Sequence, residues 1–214
     1  MQSLAGNRIW ARSANGVIRG RFTASSLLNL HTVNAPISAT VSLINGGESM
    51  THLFLKTSNR YDFPLHVPYH HPLTATRRSR IDSEVSLVSN QSSTTGGNFH
   101  VAARASNAPL SLTVVDAPLD SMLLLAASTS NSPARVALHK TFQGTFDLSS
   151  SAVFRPEVDW SPVNDPAEQD RRRRVRLDTI KGSRVRGGVE WEEGGEERGK
   201  VVVETSNSPL RLVL

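Results

Sequence analysis

The chain has no cysteine among its 214 residues. That excludes disulfide bridges, thiolate metal sites and a cysteine nucleophile. Aromatic residues are scarce at 6%, and the tryptophans, Trp10, Trp160 and Trp191, are too scattered for a base-stacking platform, so nucleic acid is not an expected partner. Long apolar runs are missing too. The most apolar window, LDSMLLLAAS at 119–128, is interrupted by Asp120 and followed by polar residues. It falls far short of the roughly 20 residues a membrane span needs. The opening MQSLAGNRIWARSANG lacks the apolar stretch of a signal peptide, which leaves a cytoplasmic location as the default expectation. One sequon, Asn90-Gln91-Ser92, would also suit a secreted chain. No segment combines a 3.6-residue apolar period with helix caps, so very little helix is expected.

Basic residues are in excess: 24 Lys and Arg against 19 Asp and Glu, a formal charge of +5. Much of the excess sits in Arg77, Arg78 and Arg80 and in Arg171, Arg172, Arg173 and Arg174 with Arg176. Both clusters read as loops. Solvated surface charge is the plain reading, and contact of Arg171–Arg174 with a polyanion is the sharper one.

The informative feature is a repeat. STSNSPARVAL at 128–138 returns as ETSNSPLRLVL at 204–214, and related corners centre on Asn34, Asn59 and Asn107. The spacings between Asn34, Asn59, Asn107, Asn131 and Asn207 are 25, 48, 24 and 76 residues, suggesting one, two, one and three periods of about 24. A weaker corner is centred on Asn15. Before each Asn the apolar or small residues fall at even offsets, as in Leu28, Leu30 and Thr32. After it they fall at odd offsets, as in Ile37, Ala39 and Val41. The Asn59 copy slips by one, with Tyr61, Phe63, Leu65 and Val67. A period of two is that of a half-buried strand. Asn tolerates left-handed backbone at a bend, and Pro36, Pro109, Pro133 and Pro209 suit the first position of the departing strand.

Strand, corner and strand in units of about 24 residues predict an all-β, β-solenoid-like stack, in which the five Asn corners form a structural ladder of amide bonded to amide. An antiparallel β-sandwich of similar hairpins is the competing arrangement. One repeat-built domain is expected over 1–214, with flexible loops at 68–82, 90–97 and 155–173. TFQGTFDLSSSAVF, from Thr141, reads as a degraded unit with a corner near Ser150, and 192–200 as a hairpin connection. Leu214 stands inside an apolar run without a polar cap. An uncovered end of such a stack would self-associate.

The stretches IRGRFTASSLLNLHTVNAPISATVSL, HLFLKTSN, FHVAARASNAPLSLTV and LLLAASTSNSPARVALHKTFQGTFDLSSS, with RVRGGVEW and GKVVVETSNSPLRL, carry a resemblance. The chain resembles a mainly fungal family of uncharacterised proteins built from TSNAP-type repeats, an adhesin-like β-solenoid domain of unknown function. It is more distantly similar to bacterial adhesin-type repeats. The resemblance implies a fold and transfers no catalytic residues.

Chemical motifs are weak. GGEERGKV has glycines near a lysine, but Val201 stands where a phosphate loop needs Ser or Thr. His66, His70 and His71 lie among prolines that prevent a metal-binding helix. No G-x-S-x-G elbow occurs. No catalytic residue, cofactor or metal is therefore expected. The reading is a non-enzymatic structural or interaction module that contacts a protein or glycan. Its rivals are a polyanion binder and a carbohydrate-active β-helix enzyme using Asp116, Asp120 or Asp147.

Overall fold

The computed structural model describes residues 2–47, 49–58, 79–90, 96–151, 153–191 and 198–214. Among them are fifteen strands and no helix. The strands are β1 (Ser3–Ser13), β2 (Ile18–Val33), β3 (Ile37–Asn45), β4 (Thr51–Ser58), β5 (Ile81–Ser89), β6 (Asn98–Ala105), β7 (Leu110–Asp116) and β8 (Met122–Thr129). They continue as β9 (Ala134–Ala137), β10 (Gly144–Ser149), β11 (Glu157–Asp159), β12 (Arg173–Lys181), β13 (Arg184–Trp191), β14 (Lys200–Thr205) and β15 (Leu210–Val213). All belong to one sheet that does not close. No helix among the described residues is long and apolar enough to cross a membrane.

Two parallel ladders make up most of the sheet. In the first, the second half of β2 is followed by β4, β6, β8, β14 and β10. In the second, the first half of β2 is followed by β3, β5, β7, β9, β15 and β11. β2, 16 residues long, runs through both, and β1 pairs along it with a register shift between Gly6 and Arg8. Beyond β10 the first ladder turns antiparallel, through β13 to β12.

Strict alternation puts one face of each ladder inside. Leu28, Leu53, Val101, Leu125, Val201 and Phe146 stand in register across the first ladder, and none is more than 2% exposed. Ile37, Ile81, Leu110, Ala134 and Leu210 do the same across the second. Burying each large side chain contributes about 2 kcal/mol. The period-two pattern thus marks the core, because a parallel strand shifted by one residue would turn its whole apolar set outward.

The register offsets equal the corner spacings. Leu27 faces His52, Thr51 faces Phe99, Asn98 faces Met122 and Lys200 faces Leu124. The expectation that spacings of 48 and 76 span two and three periods is therefore corrected. β4 pairs directly with β6, and β8 directly with β14, so each spacing is one step of the ladder with an insertion. The second insertion produces an out-of-order arrangement. β14 lies between β8 and β10, and β15 between β9 and β11. Residues 138–143 pass over this gap, and the later 200–213 fill it.

Other expectations also change. The hairpin over 192–200 is not formed, since β10 lies between β13 and β14. Of the three expected loops, 68–78 and 91–95 lie outside the described residues, whereas Ile81 and Asp82 open β5. The stretch 155–173 is not simply a loop. It contains β11, which pairs with β15 and brings Val158 against the core, and its last residue begins β12. Two prolines and the charges around three residues hid that strand. Leu214 is not at an open end either: its N–H donates to the Asp159 carbonyl at 2.9 Å. Ser150, the expected degraded corner, donates its hydroxyl to the Ser208 carbonyl at 3.2 Å, beside the Asn207 corner.

Two glycines allow the chain to enter its gap. Gly144 has φ 145°, and a Cβ there would lie 2.1 Å from the Gly199 carbonyl oxygen. That oxygen accepts the Thr145 N–H at 3.0 Å. Replacing Gly144 by Ala should therefore cost about 2 kcal/mol or more, read as a lower denaturation midpoint with unchanged β circular dichroism at low denaturant.

Candidate functional site

The corners share two devices, a left-handed Asn and a buried threonine, though not every corner has both. Asn34, Asn107 and Asn131 have φ of 62°, 54° and 49°, in the left-handed region that Asn tolerates better than most residues. Two residues before Asn34, Asn131 and Asn207 stands a buried threonine, with Ala105 at that place before Asn107. Thr32 Oγ1 donates to the Ala35 carbonyl at 2.5 Å, and Thr205 Oγ1 to the Ser208 carbonyl at 2.7 Å. Thr129 Oγ1 instead reaches the Ala108 carbonyl of the neighbouring corner at 2.8 Å. The amides also connect one corner to the next. Asn131 Nδ2 donates to Asn107 Oδ1 at 2.9 Å, and Asn207 Nδ2 to Asn131 Oδ1 at 2.8 Å. Asn34 Nδ2 donates to Asn15 Oδ1 at 3.3 Å. Asn59 lies outside the described residues.

Outside the first ladder is a shallow trough of about 490 Å³. Its floor is the in-register row Phe54, Ala102, Ala126 and Val202, running across four strands. The next outward row along the strands is Lys56, Arg104, Ser128 and Glu204. Two alanines side by side leave the trough open, while Phe54 at one end and the long charged side chains beside them rise around it. A smaller hollow of about 380 Å³ adjoins it at the corners, where Ser106, Ser130 and Ser206 are among the lining residues.

At the edge of the Phe54 end, His52 and His100 face each other in register, Nδ1 to Nδ1 at 3.2 Å. The His52 ring stacks parallel to Phe54, and the His100 ring meets both edge-on. Burial first, and then the neighbouring His52, lower the His100 pKa from the ordinary 6.5. His31, on the same outer face, is lowered by burial and then by Lys56 and Arg12. Its Nε2 is enclosed with no hydrogen-bond partner. No group of three or more metal-ligating side chains occurs among the described residues. His66, His70 and His71 lie outside those residues.

The arginine cluster is divided by strand alternation. Arg171 is held by Asp165, with Nε to Oδ2 at 2.9 Å and Nη2 to Oδ1 at 2.8 Å. Asp165 also accepts the backbone N–H groups of Ala167, Gln169 and Arg171, which ties the 165–171 bend together. The Arg171 side chain, led by its hydrogen bond, holds the Asp165 carboxyl well below the usual range. Arg173 turns inward on β12, facing Trp191 in register, with its guanidinium 6.0 Å from the indole centroid. All three of its guanidinium nitrogens are enclosed without a partner, and burial lowers its pKa. Arg172 and Arg174 are exposed. The expectation that all four form one loop surface is corrected: β12 begins at Arg173, and the four side chains do not share a face.

The carboxylates considered for sugar chemistry are not grouped. Asp147 on β10 accepts from Arg184 Nε at 2.8 Å and from Arg186 Nε at 3.0 Å, and the Arg184 hydrogen bond is the main cause of its lowered pKa. Asp120 pairs with Arg198 at 2.7 Å. Asp116 ends β7 in the other ladder. Lys200, the lysine of the glycine-rich stretch, opens β14 rather than a helix. Sequence reasoning missed the trough, although Ala102 and Ala126 at matching outward positions of successive repeats were its signal.

Compared with models of protein families, with curated proteins and with solved structures, the chain finds no match in any of the three.

Asn131→Ala should destabilise by about 2 kcal/mol, from left-handed strain and two lost amide bonds. Asn131→Gly keeps the backbone conformation and should fall between the two in a urea titration. Burial lowers the His100 pKa in the folded chain, so the unfolded chain binds more protons between the lowered pKa and 6.5. Its contribution is complete above about pH 6.5 and lost as pH falls through the lowered value. Denaturation midpoints should drop from pH 7.5 to pH 5, and the drop should shrink in His100→Gln.

Proposed function

We propose that this chain is a non-enzymatic, adhesin-like interaction module, a solenoid-like stack of TSNSP-type units of the kind its repeat resembles. It presents the outer face of the first ladder to a protein or glycan. The observation that carries the reading is the trough over Phe54, Ala102, Ala126 and Val202: broad, regular, apolar at the floor and rimmed by Lys56, Arg104 and Glu204. An extended partner can lie along such a row, with its apolar faces on the alanines and its polar groups at the rim. Phe54 offers the stacking surface that a sugar ring or an aromatic side chain needs.

Support also comes from the surroundings. Asp147 and Asp120 are engaged with arginines, and Asp116 stands in the other ladder, an arrangement that does not pair acid and base across a sugar. Broad polyanion binding through Arg171–Arg174 is less favoured, because Arg171 is satisfied by Asp165 and Arg173 points inward.

Ala126→Arg fills the trough at an exposed position and should leave the melting temperature within a few degrees of the parent. On arrays of glycans and of immobilised proteins, the parent should show saturable binding that Ala126→Arg reduces at least tenfold. Turnover of glycosides or esters by the parent, or binding unchanged in Ala126→Arg, would sink this reading.

A further inference from the structure

We propose that the gap between β8–β9 and β10–β11 is a strand-acceptor site, and that a second copy of this chain can fill it with its own β14–β15 unit. The proposal starts from the order of the strands. The polypeptide passes from β9 to β10 over a vacant step of both ladders, and residues 200–213 enter that step later. The ladder bonds of this unit run to its neighbours. β14 pairs with β8 on one side and β10 on the other, and β15 pairs with β9 and β11.

Its side chains are seated the same way. Val201 stands between Leu125 and Phe146, and Val203 between Ala127 and Leu148. Asn207 hydrogen-bonds to Asn131, and the Gly199 carbonyl to the Thr145 N–H. An identical unit from another copy can make every one of these contacts unchanged. The acceptor is specific for that sequence because its wall, STSNSPARVAL, is nearly the same as the occupant, ETSNSPLRLVL.

Chain length permits the exchange. β13 ends at Trp191 and β14 begins at Lys200, with eight residues between them. Their strands are two ladder steps apart, about 10 Å. Nine Cα-to-Cα steps reach about 30 Å at full extension, so the connection is much longer than its own gap requires. Intramolecular filling is favoured in dilute protein, and filling by a second copy when unfolded chains refold together at high concentration. A reciprocal exchange makes a closed dimer, with no strand edge left vacant at either acceptor.

The absence of cysteine makes the test clean. Ser128 and Glu204 face outward in register on β8 and β14. Full-length Ser128→Cys and Glu204→Cys proteins are unfolded together, refolded at high concentration, and treated with a short bis-thiol cross-linker. Exchange predicts a covalent heterodimer after joint refolding, and much less when each is refolded alone and then mixed. A chain carrying both cysteines, refolded dilute, serves as the control and should cross-link internally. If the control cross-links and the heterodimer does not form at any concentration, the proposal is overturned. Deleting residues 192–198 leaves Gly199 alone between the strands, a reach of about 7 Å, too short to fill the gap from within. This variant should double in mass by light scattering. A folded monomer would overturn the proposal, and if the variant does not fold, the cysteine experiment decides.

Discussion

Register between parallel strands is the constraint on which the rest depends. Backbone hydrogen bonds alone do not choose a register, since a strand displaced by one residue can make equivalent bonds. The displacement would carry Leu53 and Leu55 to the surface and His52 and Phe54 to the core. Hydrophobic burial forbids that slip, and the corners forbid a slip of two. Asn131 can bond to Asn107 and Asn207 only when all three bends lie over one another. Buried threonines brace these bends: Thr205 closes its own corner, and Thr129 ties the Asn131 corner to the Asn107 corner through the Ala108 carbonyl. A weak exposed bond thereby has a large structural consequence, because it selects among arrangements that differ little in apolar burial.

The same regularity determines the two ends of the sheet and the character of its outer face. At one end the parallel order gives way to the antiparallel pair β12 and β13. β1, paired beside β2 off the main strand order, carries a register shift and the charges of Arg8 and Arg12, features that make an edge less able to pair further. Along the outer face, identical positions of successive units lie in rows, so the surface varies slowly across strands. The trough exists because two successive units place alanine where a neighbour places phenylalanine. Small side chains at such a row do little for stability, whereas they decide what can lie against the sheet.

Much of this architecture was legible in the amino-acid sequence. Even offsets before the Asn and odd offsets after it identify Leu28, Leu53, Val101 and Leu125 as inward, and all four are buried in one row. Spatial order was not legible. A spacing of 76 lies near a multiple of the period, yet Asn207 is the direct neighbour of Asn131; periodicity reports phase, and phase is unchanged by an insertion of any length. β1 escaped notice because only Ile9 among its residues is buried, and β11 because charge and proline surround it. The arginines misled for a related reason: consecutive like charges suggest a solvated loop, but their sides alternate, with Arg172 and Arg174 exposed and Arg171 and Arg173 both lying over the Trp191 ring. The trough needed coordinates, since outward alanines acquire meaning only when the row around them is known.

The out-of-order step has a consequence for how the molecule can form. β6 and β8 pair across 24 residues, whereas β14 and β8 pair across 76, so the entropy of closing the intervening chain is greater for the latter. Parallel pairing of such distant segments is slow. β14 also needs β10 on its other side, and β10 is aligned by β13. The orderly route therefore builds the ladder from β2 to β9 first and the β10, β13 and β12 group separately, then joins them through the 200–213 unit. Until that unit arrives, β8 and β9 present unpaired edges beside the apolar side chains of Leu125, Ala127 and Val136. The near-duplicate sequence at 204–214 has the corner and pleat phase that fit those edges. Its late position in the chain costs time in folding but no precision, because register is encoded in the unit itself and not in its distance from the neighbours.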